Sequence, residues 1–223
     1  MRKKDCAIIQ VLLSLVLILG SISLACSAEP APAPPPTLPS MAPDLEIPTN
    51  YTTYTDETKF FSISYPSDWE PLVSYIADID KAVKEVINDI QSGIPIERTS
   101  IIFVAGQPMT GGSYDPSVNI VVEPIPEGLS TLDQIVEAEI RGAEMVAQDR
   151  REFSRVKTTI NGIEATILDH EATLPEIGKR HMLQMVTLVG ETMWVVSCSS
   201  TCEDFATWEK DFHAIVRSLR ISN

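Results

Sequence analysis

The chain has 223 residues and a formal net charge of -14, with 31 Asp and Glu against 17 Lys and Arg. Binding a phosphate backbone needs clustered cations, so this balance excludes a nucleic-acid partner and works against adsorption on anionic headgroups. Apolar residues make up 44% of the chain, which excludes wholesale disorder, and the length suits one domain with a core of its own.

Residues 1–25 have the layout of an export signal. Arg2, Lys3 and Lys4 precede Ala7–Leu19 (AIIQVLLSLVLIL), which is apolar apart from Gln10 and Ser14, and small Ala25 stands before Cys26. The stretch Ser21–Cys26 (SISLAC) resembles the bacterial lipobox, with Ser23 where that motif usually carries Leu. The resemblance implies cleavage before Cys26 and lipidation (diacylation, of the palmitate class) of its thiol. Each buried CH₂ of such a lipid contributes about 0.8 kcal/mol, so two or three chains hold firmly. An uncleaved anchor is the alternative, since residues 7–25 nearly span a bilayer. Both readings place the rest of the chain outside the cytoplasm, on the outer face of the cytoplasmic membrane or on an outer membrane.

Residues 26–53 are read as the lipidated Cys26 and a proline-rich tether. Ser27–Asn50 has eight prolines among 24 residues, which no regular helix or central strand tolerates. At about 3.1 Å per residue in polyproline II, this segment reaches roughly 70 Å.

Residues 54–223 are predicted to form a single α+β domain. Lys59–Tyr65 (KFFSISY) alternates as a strand does, and Pro66-Ser67-Asp68 stops it before Trp69. Ile76, Ile79, Val83, Val86, Ile87 and Ile90 fall at helical spacing, ended by Gly93 and Pro95. Ser100–Ala105 and Val118–Glu123 read as buried strands joined by a long loop, Gly106–Ser117, the first candidate for a ligand site because long loops on rigid scaffolds carry function. Ser130 and Asp133 have capping-box spacing ahead of a helix striped by Leu132, Ile135, Val136, Ile140, Ala143, Val146 and Ala147. Asn161-Gly162 between Val156–Ile160 and Ile163–Asp169 is a strong hairpin signal, because both turn residues tolerate positive φ. Met182–Val189 and Met193–Cys198 flank a second hairpin at Gly190-Glu191-Thr192. A last helix starts near Thr201 or Glu203, with Phe205, Trp208, Phe212, Ile215, Val216 and Leu219 on one stripe. Short turns favour antiparallel pairing, and the apolar sheet faces need helices over them, so the expected fold is an antiparallel β-sheet sandwiched by helices.

The run Phe60-Phe61-Ser62-Ile63-Ser64-Tyr65-Pro66-Ser67-Asp68-Trp69 resembles the opening motif of the PsbP-like superfamily, and Trp194–Cys198 with the helix ending Ile215–Arg220 resembles its close. The resemblance covers about Tyr54 to Ile221. It implies an α+β fold of PsbP or DcrB type and a non-enzymatic extracytoplasmic role.

Of the four cysteines, Cys6 leaves with the signal and Cys26 is the anchor. Cys198 and Cys202, spaced C-x₃-C, can close a disulfide outside the cytoplasm, worth at most about 2–3 kcal/mol for so short a loop; two reduced, buried thiols are the alternative. For the histidines, a hairpin with Leu174 opposite Lys179 puts His181 diagonal to His170 on one face, with Asp169 and Glu171 on the other. That makes His170 and His181 weak metal candidates, since a zinc site needs further ligands. His213 is expected to be exposed, and Glu137 to pair with Arg141. Trp69, Trp194 and Trp208 sit in apolar periodicity and are expected in the core. No G-x-S-x-G, H-E-x-x-H or Walker pattern occurs in the sequence.

The function these features support is a membrane-tethered binding or assembly module without catalytic residues or a cofactor, acting on another envelope protein. A lipoprotein that binds Ca²⁺, a transition metal or a small ligand is the alternative, and an unrecognised extracellular hydrolase a third reading.

Overall fold

The structure, a computed structural model, describes residues 47–78, 81, 100–110, 114–174 and 178–222. The expected signal peptide, Cys26 and most of the expected tether lie outside the described residues, as does most of the helix expected after Ile76, of which residues 76–78 and 81 are helical.

The strands are β1 (Tyr51–Asp56), β2 (Phe61–Pro66), β3 (Glu70–Pro71), β4 (Ser100–Pro108), β5 (Tyr114–Pro124), β6 (Gln148–Ile160), β7 (Ile163–Leu174), β8 (Gly178–Val189), β9 (Thr192–Thr201) and β10 (Arg220–Ile221). The long helices among the described residues are α1 (Leu132–Val146) between β5 and β6, and α2 (Phe205–Ser218) between β9 and β10. A three-stranded sheet has the order β1-β2-β10, and a seven-stranded sheet the order β3-β4-β5-β9-β8-β7-β6. Every pairing among the described residues is antiparallel. Among the described residues no helix is long and apolar enough to cross a membrane.

Alternation along the strands separates two apolar clusters, because successive side chains point to opposite faces of a sheet. On β9, Met193 and Val195 join one cluster, while Trp194, Val196 and Cys198 join the other. The first cluster includes Leu132, Ile135, Val136 and Ile140 of α1; the second includes Phe205, Phe212, Ile215 and Val216 of α2, with Phe61, Ile63 and Tyr65 of β2. Fully burying each of these large side chains contributes roughly 1.5–3 kcal/mol, and this fixes both helices on the sheet.

The turns follow from local chemistry. Asn161 and Gly162 take φ of 52° and 82°, as a tight two-residue hairpin between right-twisted strands requires. The capping box of α1 sits one residue later than expected: Thr131 Oγ1 accepts from the Gln134 amide at 3.3 Å, and Gln134 Oε1 accepts from the Thr131 amide at 3.3 Å. Asp133 is thereby free to accept from Lys157 Nζ at 2.6 Å. Glu137, expected to pair with Arg141, reaches across to Arg155 on β6.

Three boundaries differ from expectation. β1 begins at Tyr51, three residues ahead of Tyr54; the Tyr51 hydroxyl donates to Asp211 Oδ1 at 2.6 Å and ties this end to α2. β6 starts at Gln148 rather than near Val156. The expected long loop is mostly hairpin: β4 runs to Pro108, β5 starts at Tyr114, and Gly106 pairs with Ser117. A Cβ at Gly106 would stand 2.9 Å from Tyr114 Cβ and 3.0 Å from the Pro116 carbonyl, so glycine lets the two strands close there.

Candidate functional site

The β7–β8 hairpin, the β9–α2 turn and the start of β6 meet at one end of the large sheet, where Arg151 faces Glu171, Glu171 faces His181 and His181 faces Ser200 across successive strands. The His181 ring lies parallel to Phe205, the first residue of α2, with centroids 3.4 Å apart and planes within 3°. Phe153 of β6 flanks the same ring at 5.0 Å, and the Arg151 guanidinium stands 4.8 Å over Phe153. Asp169 Oδ1 meets His181 Nε2 at 2.6 Å, which fixes the ring's rotation. Phe153 is 40% exposed, so the ladder Arg151–Phe153–His181–Phe205 runs from solvent into the core. A cation over an exposed ring contributes roughly 0.5–1 kcal/mol.

Glu171 lies on the same face as His181. It accepts from Lys179 Nζ at 2.5 Å and from Cys202 Sγ at 3.7 Å. The Lys179 bond is the largest influence holding the Glu171 carboxyl below the usual range. Burial, then the Glu171 charge, raises the Cys202 thiol. Cys198 is fully buried among the residues under α2, and burial pushes its thiol well up. Both are free thiols in the structure.

The expected histidine pair does not form. Leu174 faces Gly178, not Lys179, so the turn is one residue tighter than assumed. A one-residue slip exchanges the faces of every side chain. His170 therefore faces Met182 on the α1 side, whereas His181 joins Asp169 and Glu171 on the α2 side. His170 is fully buried, neither ring nitrogen has a hydrogen-bond partner, and burial with the nearby Arg150 charge lowers its pKa to about 3. His213, expected at the surface, is half-buried on α2; burial and Arg217 lower its pKa. Among the described residues no group of three or more His, Cys, Asp or Glu is placed to hold a metal ion.

Asp115 and Arg180 were not singled out in the sequence. Arg180 Nη1 and Nη2 donate to the two carboxylate oxygens of Asp115 at 2.6 and 2.7 Å, with both side chains nearly buried. Ser199 Oγ lies 3.5 Å from Arg180 Nη2 and 3.4 Å from Ser117 Oγ. Asp169, Phe153 and Phe205 also went unremarked as partners of His181. The signal for Asp169 is its two-residue spacing from Glu171 on β7, which puts both on one face but identifies that face only once the register with β8 is known.

A search of curated proteins finds no match to the chain. Among solved structures, the cyanobacterial PsbP (CyanoP) of Synechocystis sp. PCC 6803 superposes with a TM-score of 0.51 at 13% identity, covering 83% of this chain and 99% of that one. PA94 from Pseudomonas aeruginosa, described as a putative regulator of unknown function, gives 0.47 at 14% identity over 78% of this chain and 99% of its own. LpqN of Mycobacterium tuberculosis, involved in cell envelope biogenesis, gives 0.48 at 12% identity over 73% of this chain and 83% of its own. The likeness to the cyanobacterial protein is one of fold. The sequence profile of the PsbP family matches residues 49–221, and the chain belongs to that family.

Proposed function

We propose that this protein is a lipid-anchored, extracytoplasmic binding or assembly module of the PsbP family, without catalytic activity, that engages another envelope protein. In this reading residues 1–25 are removed, Cys26 carries the lipid, and the proline-rich segment holds an α+β domain, its sheet covered by a helix on each face, some tens of ångströms from the bilayer.

The observation that carries the non-catalytic part is how the reactive groups of the candidate site are engaged. A nucleophile is activated by a base within hydrogen-bond reach, by a lowered pKa or by a metal. Here Asp169 orients the His181 ring between Phe153 and Phe205, but the nearby Ser200 hydroxyl and Cys202 thiol make their hydrogen bonds elsewhere. The Cys202 thiol faces a carboxylate, which raises its pKa rather than lowering it. The Ser200 hydroxyl donates to the Thr201 carbonyl at 3.0 Å. These groups stabilise the end of the sheet and leave Phe153 and Arg151 toward solvent.

Metabolic labelling with an alkyne fatty acid tests the anchor. Wild-type chain takes the label and fractionates with membranes, whereas Cys26→Ala takes none and is released or retained with its signal uncut. A wild-type chain without label contradicts the tether.

A further inference from the structure

Among the described residues one long sheet edge is protected and another has no strand paired to it. β6, 13 residues long, ends the seven-stranded sheet, and it is broken up as exposed edges usually are. Its pairing with β7 is interrupted by register shifts between Gln148 and Arg151 and between Glu152 and Ser154, and Asp149 takes a φ of 51°. Three of its four cations are held by the protein's own carboxylates: Arg150 by Glu152, Arg155 by Glu137 and Glu152, and Lys157 by Asp133.

β1 has none of these devices. It is the outer strand of the order β1-β2-β10, and its pairing with β2 runs unbroken from Tyr51 opposite Pro66 to Asp56 opposite Phe61. Its sequence, YTTYTD, holds three threonines and two tyrosines, all strong strand formers, with no proline, lysine or arginine. Thr52, Thr53 and Thr55 are exposed. Every second residue of such a strand turns a backbone N–H and C=O outward, a template for one more strand. The surroundings are acidic: Asp56 ends β1 and Glu57 follows it, while Asp211 receives the Tyr51 hydroxyl and Asp68 acts on the same phenol. Lys59 and Lys210 only partly offset these four carboxylates.

We propose that the β1 edge is a strand-addition site, which takes an extended, positively charged segment of a partner protein as a fourth strand of the small sheet. Main-chain hydrogen bonds supply affinity in this mode, and flanking charges select the segment. A second copy of this chain is disfavoured, because pairing two β1 edges brings Asp56 and Asp211 of both copies together on chains that are already acidic. The proposal rests on the binding-module reading above and names the chemistry of its partner.

The test uses the full-length lipoprotein in nanodiscs of zwitterionic lipid and two capped synthetic peptides, Lys-Thr-Val-Thr-Val-Thr-Val-Lys and the same sequence with glutamate at both ends. Hydrogen exchange is followed over residues 50–57. The lysine peptide slows exchange there at least fivefold, the glutamate peptide does not, and raising NaCl from about 50 to 500 mM removes the protection. Thr52→Lys/Thr55→Lys, two changes at exposed positions, keeps the thermal midpoint and loses the protection. No protection of β1, equal protection by both peptides, or protection that survives in the double-lysine variant overturns the proposal. So does protection that appears without peptide and grows with protein concentration, which identifies a second copy. A chain that captures an envelope partner in cells while β1 stays unprotected refutes strand addition alone; failure of capture refutes the binding-module reading independently.

Discussion

Asp115 and Arg180, 65 positions apart in sequence, close a two-pronged ion pair at 2.6 and 2.7 Å with side chains only 11% and 9% exposed. The pair joins the start of β5 to β8 across the intervening β9 and fixes the end of the sheet that carries the His181 ladder. Removing one partner leaves the other charged and nearly buried, which costs about 3–5 kcal/mol. Arg180→Met is therefore expected to lower the urea midpoint by that amount of stability, and Asp115→Asn/Arg180→Met to recover much of it. A loss below about 1 kcal/mol for Arg180→Met would show that water reaches Asp115.

His170 predicts a pH dependence. Its folded pKa, near 3, lies below the ordinary 6.5, so the unfolded chain takes up the proton first as pH falls. The neutral-histidine contribution is fully present above about pH 6.5 and is lost progressively down to about pH 3, a change on the order of a few kcal/mol. Urea unfolding between pH 7 and 4 should show this loss. His170→Leu should flatten the profile over that interval, and an unchanged slope in the variant would place the effect elsewhere.

The two thiols should differ in reactivity. Cys202 is partly exposed and its thiol is raised by burial and by Glu171, whereas Cys198 is sealed under α2. Maleimide at pH 7.5 should label Cys202 slowly and Cys198 only after unfolding. Glu171→Gln should speed labelling of Cys202 severalfold, since removing the carboxylate lowers the thiol pKa. Two unreactive cysteines that become labelled only after reduction would show a disulfide in the isolated protein.

Tyr51→Phe removes the hydroxyl that donates to Asp211 and should cost about 1–2 kcal/mol, with faster hydrogen exchange confined first to β1. Uniformly faster exchange across the large sheet would mean that β1 unfolds only with the whole domain.

Much of the fold was legible because burial leaves a period. In Phe61, Ile63, Tyr65 and Trp69, the residues of the family-like motif, exposure is 2, 0, 4 and 3%; the alternation that made the motif recognisable places these side chains in the α2-side core. The Asn161-Gly162 turn and the α2 stripe were readable for the same local reasons. β1 was missed because Tyr51–Thr53 continue straight from the proline run and carry no apolar alternation, as suits an edge strand. The first half of β6 was missed because its Arg and Glu residues pair with one another and with α1 instead of filling a core. The candidate site was not legible. Its geometry depends on whether Leu174 meets Gly178 or Lys179, and local sequence does not specify that one-residue choice.

The central claim, a tethered module that engages an envelope protein, is tested most directly by crosslinking the tagged full-length chain in its native cells, with mass spectrometry of the captured species and Cys26→Ala as control. The account predicts one abundant envelope protein captured by the wild type and lost with Cys26→Ala. No capture above background, or the same capture by the unanchored variant, would contradict it.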